Sequence, residues 1–122
     1  MNKVLIVDDS ALTREFHAHI VRDAGFQCVT AVDGMDGLEK TLSEKFDLIC
    51  TDINMQGMDG YEFIRRTRQN PDYNAVPIVI ISTEAKDEDK QTGFAAGANF
   101  YLTKPTDATR LVESMKLLMK TP

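Results

Sequence analysis

Five side chains stand where short β-branched runs end: Asp8 and Asp9 after the first, Asp52 after the third, Ser82 at the end of the fourth, and Lys104 just beyond the fifth. Taken singly, each has an ordinary role. Asp9 could cap a helix, Asp52 open a turn, Ser82 cap a helix, and Lys104 stand in solvent before Pro105. Together they would bring three carboxylates, a hydroxyl and an ammonium into one pocket. Carboxylates that close repel, and some must protonate unless a cation sits among them. Mg2+ suits the donors, because it takes oxygen ligands, keeps several waters and needs only one or two carboxylates and a carbonyl. Asp9 and Asp52 are the expected carboxylate ligands, Asp8 acts through a water, and the backbone carbonyl of Asn54 lies within reach. A carboxylate is also a nucleophile toward phosphorus, which makes Asp52 a candidate aspartyl phosphate. The metal and Lys104 would then neutralise the equatorial oxygens, with the Ser82 hydroxyl donating to one of them.

That convergence depends on the elements that carry these residues. Strands are expected at Lys3 to Asp8, Phe26 to Ala31, Asp47 to Asp52, Pro77 to Ser82 and Asn99 to Leu102, with amphipathic helical patterns between them. The clearest helix is the last, where Ala108, Leu111, Val112, Met115, Leu118 and Met119 repeat at helical spacing. Leu12, Phe16 and Ile20 form the expected core stripe of the first helix, with Ser10 as N-cap and Gly25 as stop. Met35, Leu38 and Leu42 do the same for the second, and Tyr61 and Ile64 for the third. The fourth, from about Ala85 to Ala96, opens on the polar run from Lys86 to Gln91 and offers only Phe94, Ala95 and Ala96, so it should be the least firmly packed. Strict β-α alternation with near-continuous apolar strands predicts an α/β, doubly wound parallel sheet with helices on both faces. All strand C-terminal ends then meet at one edge, the edge where such sheets bind ligands.

A chain of 122 residues, 43% hydrophobic and 27% charged, fits one domain. No stretch approaches the roughly 20 apolar residues of a membrane span, and Met1-Asn2-Lys3 runs at once into the first strand without a signal-peptide h-region, so a cytoplasmic protein is expected. The net charge of -5 argues against a nucleic-acid surface. Arg65, Arg66 and Arg68 read as the solvated face of a helix. Cys28 and Cys50 form no CxxC pair and are expected as free, buried thiols. His17 and His19, two apart on a helix, point to different faces and read as surface histidines. Met55 and Met58 read as loop packing.

Four motifs in order, Val7-Asp8-Asp9-Ser10, Thr51-Asp52-Ile53-Asn54-Met55 with Met58-Asp59-Gly60, Ile80 to Lys86, and Gly97-Ala98 leading to Tyr101-Leu102-Thr103-Lys104-Pro105, resemble the receiver domains of bacterial two-component response regulators, most of all the single-domain chemotaxis type. The resemblance spans residues 1–122 as one receiver domain. It implies a five-stranded flavodoxin-like sheet of order 2-1-3-4-5, an order long associated with the chemotaxis member. It implies Asp52 as phosphoacceptor, Asp9 as metal ligand, Ser82 as switch hydroxyl, Tyr101 as switch aromatic, Lys104 as phosphoryl contact and a cis Lys104-Pro105 bond. A histidine kinase would be the phosphodonor, and the output a downstream protein such as a flagellar motor switch component, bound by a monomer. Gln56 stands where the family usually has Pro, which implies a more mobile loop after Asp52. Ser82 stands where Thr is common.

Asp52-Ile53-Asn54 also lies near the Asp-x-Asp of phosphohydrolases that pass through an aspartyl phosphate, but an amide at Asn54 cannot serve as their general acid or base. The protein is thus expected to catalyse only its own phosphorylation and dephosphorylation. A flavin carrier on the same fold is opposed by Asp8 and Asp9, which would repel the flavin's phosphate. A receiver half of a larger regulator is the remaining alternative.

Overall fold

The structure, a computed structural model, describes residues 2–119. Its elements run β1 (Lys3–Val7), α1 (Ala11–Asp23), β2 (Gln27–Ala31), α2 (Gly34–Ser43), β3 (Leu48–Thr51), α3 (Gly60–Gln69), β4 (Ile78–Ser82), α4 (Asp87–Ala96), β5 (Phe100–Thr103) and α5 (Ala108–Leu118), with a short 3-10 turn at Pro71–Tyr73. The five strands form one parallel sheet of order β2-β1-β3-β4-β5. The three central strands contain Val, Leu and Ile buried to within a few per cent, because both faces are covered. On one face Leu5, Ile49, Ile78 and Ile80 pack with Phe63, Ile64 and Ala96 of α3 and α4, with Leu38 of α2 against them. On the other, Val4, Ile6, Leu48, Val79 and Leu102 meet Ala18, Ile20 and Val21 of α1 and Leu111 and Met115 of α5.

Ser10 caps α1 as expected, its hydroxyl accepting from the Thr13 amide, and Gly25 follows the helix at φ 98°. The expected stripe of α1 is wrong in its first half. Leu12 is 84% and Phe16 54% exposed, while Ile20 is buried. Residues four apart advance about 400° around a helix, so an i, i+4 row drifts about 40° per step off the contact line. The buried line instead runs through His17, Ala18, Ile20 and Val21. His17 is therefore not a surface residue, although His19 is exposed. In α2 the buried line is Gly34, Gly37 and Thr41, one position or about 100° before the expected row, so Met35 and Leu42 stand outside and, of the expected three, only Leu38 packs against the core. Tyr61 is half-buried and Ile64 fully buried. In α4 only Gly93 and Ala96 are buried, and Phe94 is 47% exposed, so its thin apolar stripe is real.

Arg65 and Arg66 lie on the solvated face of α3, paired to Glu62. Arg68 does not. Its guanidinium donates to the carbonyls of Tyr73, Val76 and Gly97 and to Asn99 Oδ1, at 2.6–3.1 Å, using the five-donor fork of arginine to tie α3 to the segments flanking β4.

Both cysteines are free, on strands that flank β1. Two strand spacings of about 4.8 Å exceed the roughly 7 Å Cα limit for a bridge. Burial pushes the Cys28 thiol up to about 11 and raises that of Cys50. Ellman titration without reductant should therefore count two thiols after denaturation and react slowly with native protein. An intramolecular disulfide in fresh protein would contradict the sheet order.

Candidate functional site

The C-terminal ends of β1, β3 and β5 bring the carboxylates and the lysine together. The Lys104 ammonium donates to Asp8 Oδ2 and Asp52 Oδ2, each at 3.0 Å. All three side chains are largely withdrawn from solvent, at 14%, 4% and 12% exposure. The second oxygens are also fixed, Asp8 Oδ1 by the Ser10 amide at 2.9 Å and Asp52 Oδ1 by the Ile53 amide at 2.7 Å. The strands hold these residues directly: the amide of Asp52 donates to the Val7 carbonyl, that of Asp8 to Ala31, and that of Lys104 to Ser82. The Lys104-Pro105 bond is cis.

Burial alone would lower the lysine pKa, but the hydrogen bonds and charges of Asp8 and Asp52 outweigh it and raise it. The ammonium therefore persists through the neutral range, and the stability that comes from the lysine's raised value is lost as alkaline pH rises through it. Asp8 and Asp52 thus share one ammonium, and Asp9, next in the chain to Asp8, is exposed, its Oδ2 accepting from the Gln56 amide at 3.2 Å. Among the described residues no three acidic, histidine or cysteine side chains are arranged to enclose a metal by themselves. Mg2+ does not require that, because it takes few protein ligands and keeps several waters, and the exposed Asp9 and Asn54 beside the more buried Asp52 offer the oxygen donors it accepts.

Gln56 explains its own departure from the usual proline. A proline has no N–H, and here that N–H is spent on Asp9. The loop turns tightly, the Met58 amide donating to the Gln56 carbonyl across Gly57 at φ 81°. Met55 is buried and Met58 packs against the core, as read from sequence.

Ser82 is fully buried, and its hydroxyl accepts from the Glu84 amide at 3.1 Å. Tyr101 is only 8% exposed, so the ring is already inward, with its hydroxyl donating to the Glu84 carbonyl at 2.6 Å and Lys90 above the ring at 5.9 Å. Asn54 is exposed, and its side-chain amide donates to Glu84 Oε1 at 3.0 Å. Glu84 therefore meets Asn54, Ser82 and Tyr101, a junction that sequence reading missed because nothing in the spacing marks it. Arg14 was missed for the same reason; it donates to the Asp8 carbonyl at 2.9 Å.

Desolvation, reinforced by the Lys104 charge, lowers the pKa of buried His17, against the pull of Asp8 and Asp52. A base kept neutral by the fold contributes stability above its unfolded value near 6.5 that is lost as pH falls through that value. Thermal melts of wild type and His17→Gln from neutral pH downward should show the larger loss in wild type. Parallel loss in the two would remove His17 from the account.

Residues 4–116 match the family described as the response regulator receiver domain. Protein PilH of Pseudomonas aeruginosa is 32% identical over 119 residues, covering 98% of this chain and 98% of PilH. A gliding motility regulatory protein of Myxococcus xanthus is 37% identical over 102 residues, 84% of this chain, and the match spans 13% of that much longer protein. The solved structure of the chemotaxis protein CheY4 of Vibrio cholerae has a TM-score of 0.94 at 39% identity, covering 97% of this chain and 98% of that one. The chain belongs to the response regulator receiver family. Its similarity to PilH and CheY4 runs over nearly their whole lengths, so the likeness is to CheY-like single-domain regulators.

Proposed function

We propose that this chain is a phosphoacceptor switch, phosphorylated on Asp52 by a histidine kinase in a Mg2+-dependent reaction and read by a downstream protein in chemotaxis or motility. The observation that carries this is the single ammonium of Lys104 shared by Asp8 and Asp52 at the carboxyl edge of the sheet. A carboxylate oxygen of Asp52 attacks phosphorus, the P–N bond to the donor histidine breaks, and the imidazole leaves with the electron pair. Lys104 neutralises the transferred group, and the Ser82 hydroxyl, whose oxygen accepts from Glu84, keeps its proton to donate. Asp9, Asp52 and the Asn54 carbonyl would hold Mg2+, with Asp8 through water, and the ion would offset the phosphoryl charge. We place this regulator in the cytoplasm and as a monomer; no helix among the described residues is long and apolar enough to cross a membrane. Asn54 gives no general acid or base for turnover of other substrates, so chemistry is confined to the protein's own phosphorylation and dephosphorylation. Acetyl phosphate with Mg2+ should add one phosphoryl mass to intact protein, and excess chelator should abolish the gain. Full labelling in chelator would overturn the metal requirement.

The output face is formed by α4, β5 and α5. A phosphoryl group that draws the Ser82 hydroxyl competes with its bond to the Glu84 amide, and Glu84 leads into the thinly packed α4 and holds Tyr101. Beryllofluoride, a phosphoryl mimic, should shift amide NMR signals from Glu84 to Lys90 and at Tyr101 in wild type but not in Ser82→Ala. Shifts confined to Asp9 and Asp52 would sink this route.

A further inference from the structure

We propose that a cavity beside the phosphoacceptor seats the organic group of a small-molecule phosphodonor, and that this chain takes an aryl acyl phosphate in preference to acetyl phosphate. The inference rests on Asp52 being the phosphoacceptor and names a substrate class for that site. The cavity, of about 510 Å3, opens between the first turns of α1 and the segment after β5, and Lys104 lines it while bonding to Asp52. That volume lies within the roughly 300–1,000 Å3 of small-molecule sites, which combine apolar walls with a few placed polar groups. Leu12, Phe16 and Pro105 supply the walls, and the first two are conspicuously exposed in a chain that buries most of its other large apolar side chains. The polar groups are His17, 3% exposed, and Thr106, 7% exposed, whose Oγ1 is buried and without a hydrogen-bond partner among the described residues. A buried hydroxyl with nothing to bond is an anomaly that a ligand carbonyl would resolve.

Because Lys104 both lines the cavity and bonds to Asp52, a donor with its phosphoryl group against Lys104 would extend its organic part toward the cavity. Asp52 Oδ bonds to phosphorus, the bond from phosphorus to the acyl oxygen breaks, and the carboxylate leaves with the electron pair. No proton or redox partner is required. An acetyl group offers these apolar side chains a single methyl, whereas a benzoyl ring offers a face that Leu12, Phe16 and Pro105 can cover, in a cavity of ample volume for it.

Initial rates of Asp52 phosphorylation by benzoyl and acetyl phosphate, followed by intact mass with Mg2+ present, test this, because the two leaving carboxylates are of similar basicity. The half-saturating concentration of benzoyl phosphate should be at least about tenfold lower. Phe16→Ala, a surface change, and Thr106→Val should each bring the ratio of the two donors back toward one. Benzylphosphonate, which cannot transfer its group, should shift the amide signals of Phe16, His17 and Thr106. If both donors label Asp52 with equal half-saturation, or the ratio ignores both substitutions, the proposal fails while the phosphoacceptor reading stands. Labelling by neither donor overturns that reading, and the proposal with it.

Discussion

Replacing Asp52 with Asn will abolish phosphoryl labelling while leaving a folded protein. The amide keeps an oxygen to accept from the Ile53 amide, so the local hydrogen bond survives. Lys104 keeps its bond to Asp8, and removing one of the clustered carboxylates lowers the repulsion that the native site contains. What is lost is the nucleophile, since an amide oxygen does not form the aspartyl phosphate. Lys104→Met should act differently. Asp52 remains, but the fixed charge that would meet the transferred group is gone, and labelling should slow by about 10²–10³, the range seen when one preorganised stabilising group is deleted. The same substitution leaves two largely buried carboxylates without their counter-ion, so it should also destabilise the fold. Peptide mass spectrometry and urea unfolding of both variants separate the effects. Undiminished labelling in Asp52→Asn would place the acceptor elsewhere.

The largest stability effect is expected from Gly60→Ala. Gly60 begins α3 and donates its amide to the Ile53 carbonyl, which folds the helix start back onto the end of β3. A Cβ there would collide with the Asp52 carbonyl oxygen and lie 2.8 Å from Ile53 Cα, both backbone atoms that cannot swing aside. The helix must lift away, at a cost of roughly 3 kcal/mol or more, the upper range of overpacking. That is a large share of the roughly 5–15 kcal/mol that holds a domain folded. Gly25→Ala is the control. Gly25 has φ +98° but nothing within 4 Å of an added Cβ, so only backbone strain of about 1–2 kcal/mol applies. Denaturant midpoints should fall much further for Gly60→Ala. Equal midpoints would mean that close approach to Asp52 is not what demands glycine. Because the clash is at the backbone of Asp52 itself, phosphorylation should slow even in the folded fraction.

The sheet was legible because its physics is local. Strands buried on both faces read as runs such as Val4 to Val7 and Ile78 to Ile81, and strand ends followed by amphipathic segments force parallel order. From that, the meeting of Asp8, Asp9, Asp52, Ser82 and Lys104 at one edge followed, and Ser10 and Gly25 marked the ends of α1 through capping chemistry.

The helix faces were not legible to the same degree. Leu12 and Phe16 fit an i, i+4 rule and Met35 and Leu42 an i, i+7 one, yet all four stand in solvent, because which line of a helix touches the sheet depends on how the helix is seated on it. His17 entered the core by the same geometry. Only the tertiary structure could join Arg68 to Gly97 and Asn99, or Glu84 to Asn54 and Tyr101, since these pairs are separated by 17 to 31 residues and their bonds depend on where loops pass one another. The same holds for the shared ammonium of Lys104. The sequence by itself determined which groups reach the sheet edge, because each strand carries its own end there. That one lysine bridges two carboxylates 52 and 96 residues away, at 3.0 Å to each, was decided by the order of the strands and the chain path after β5.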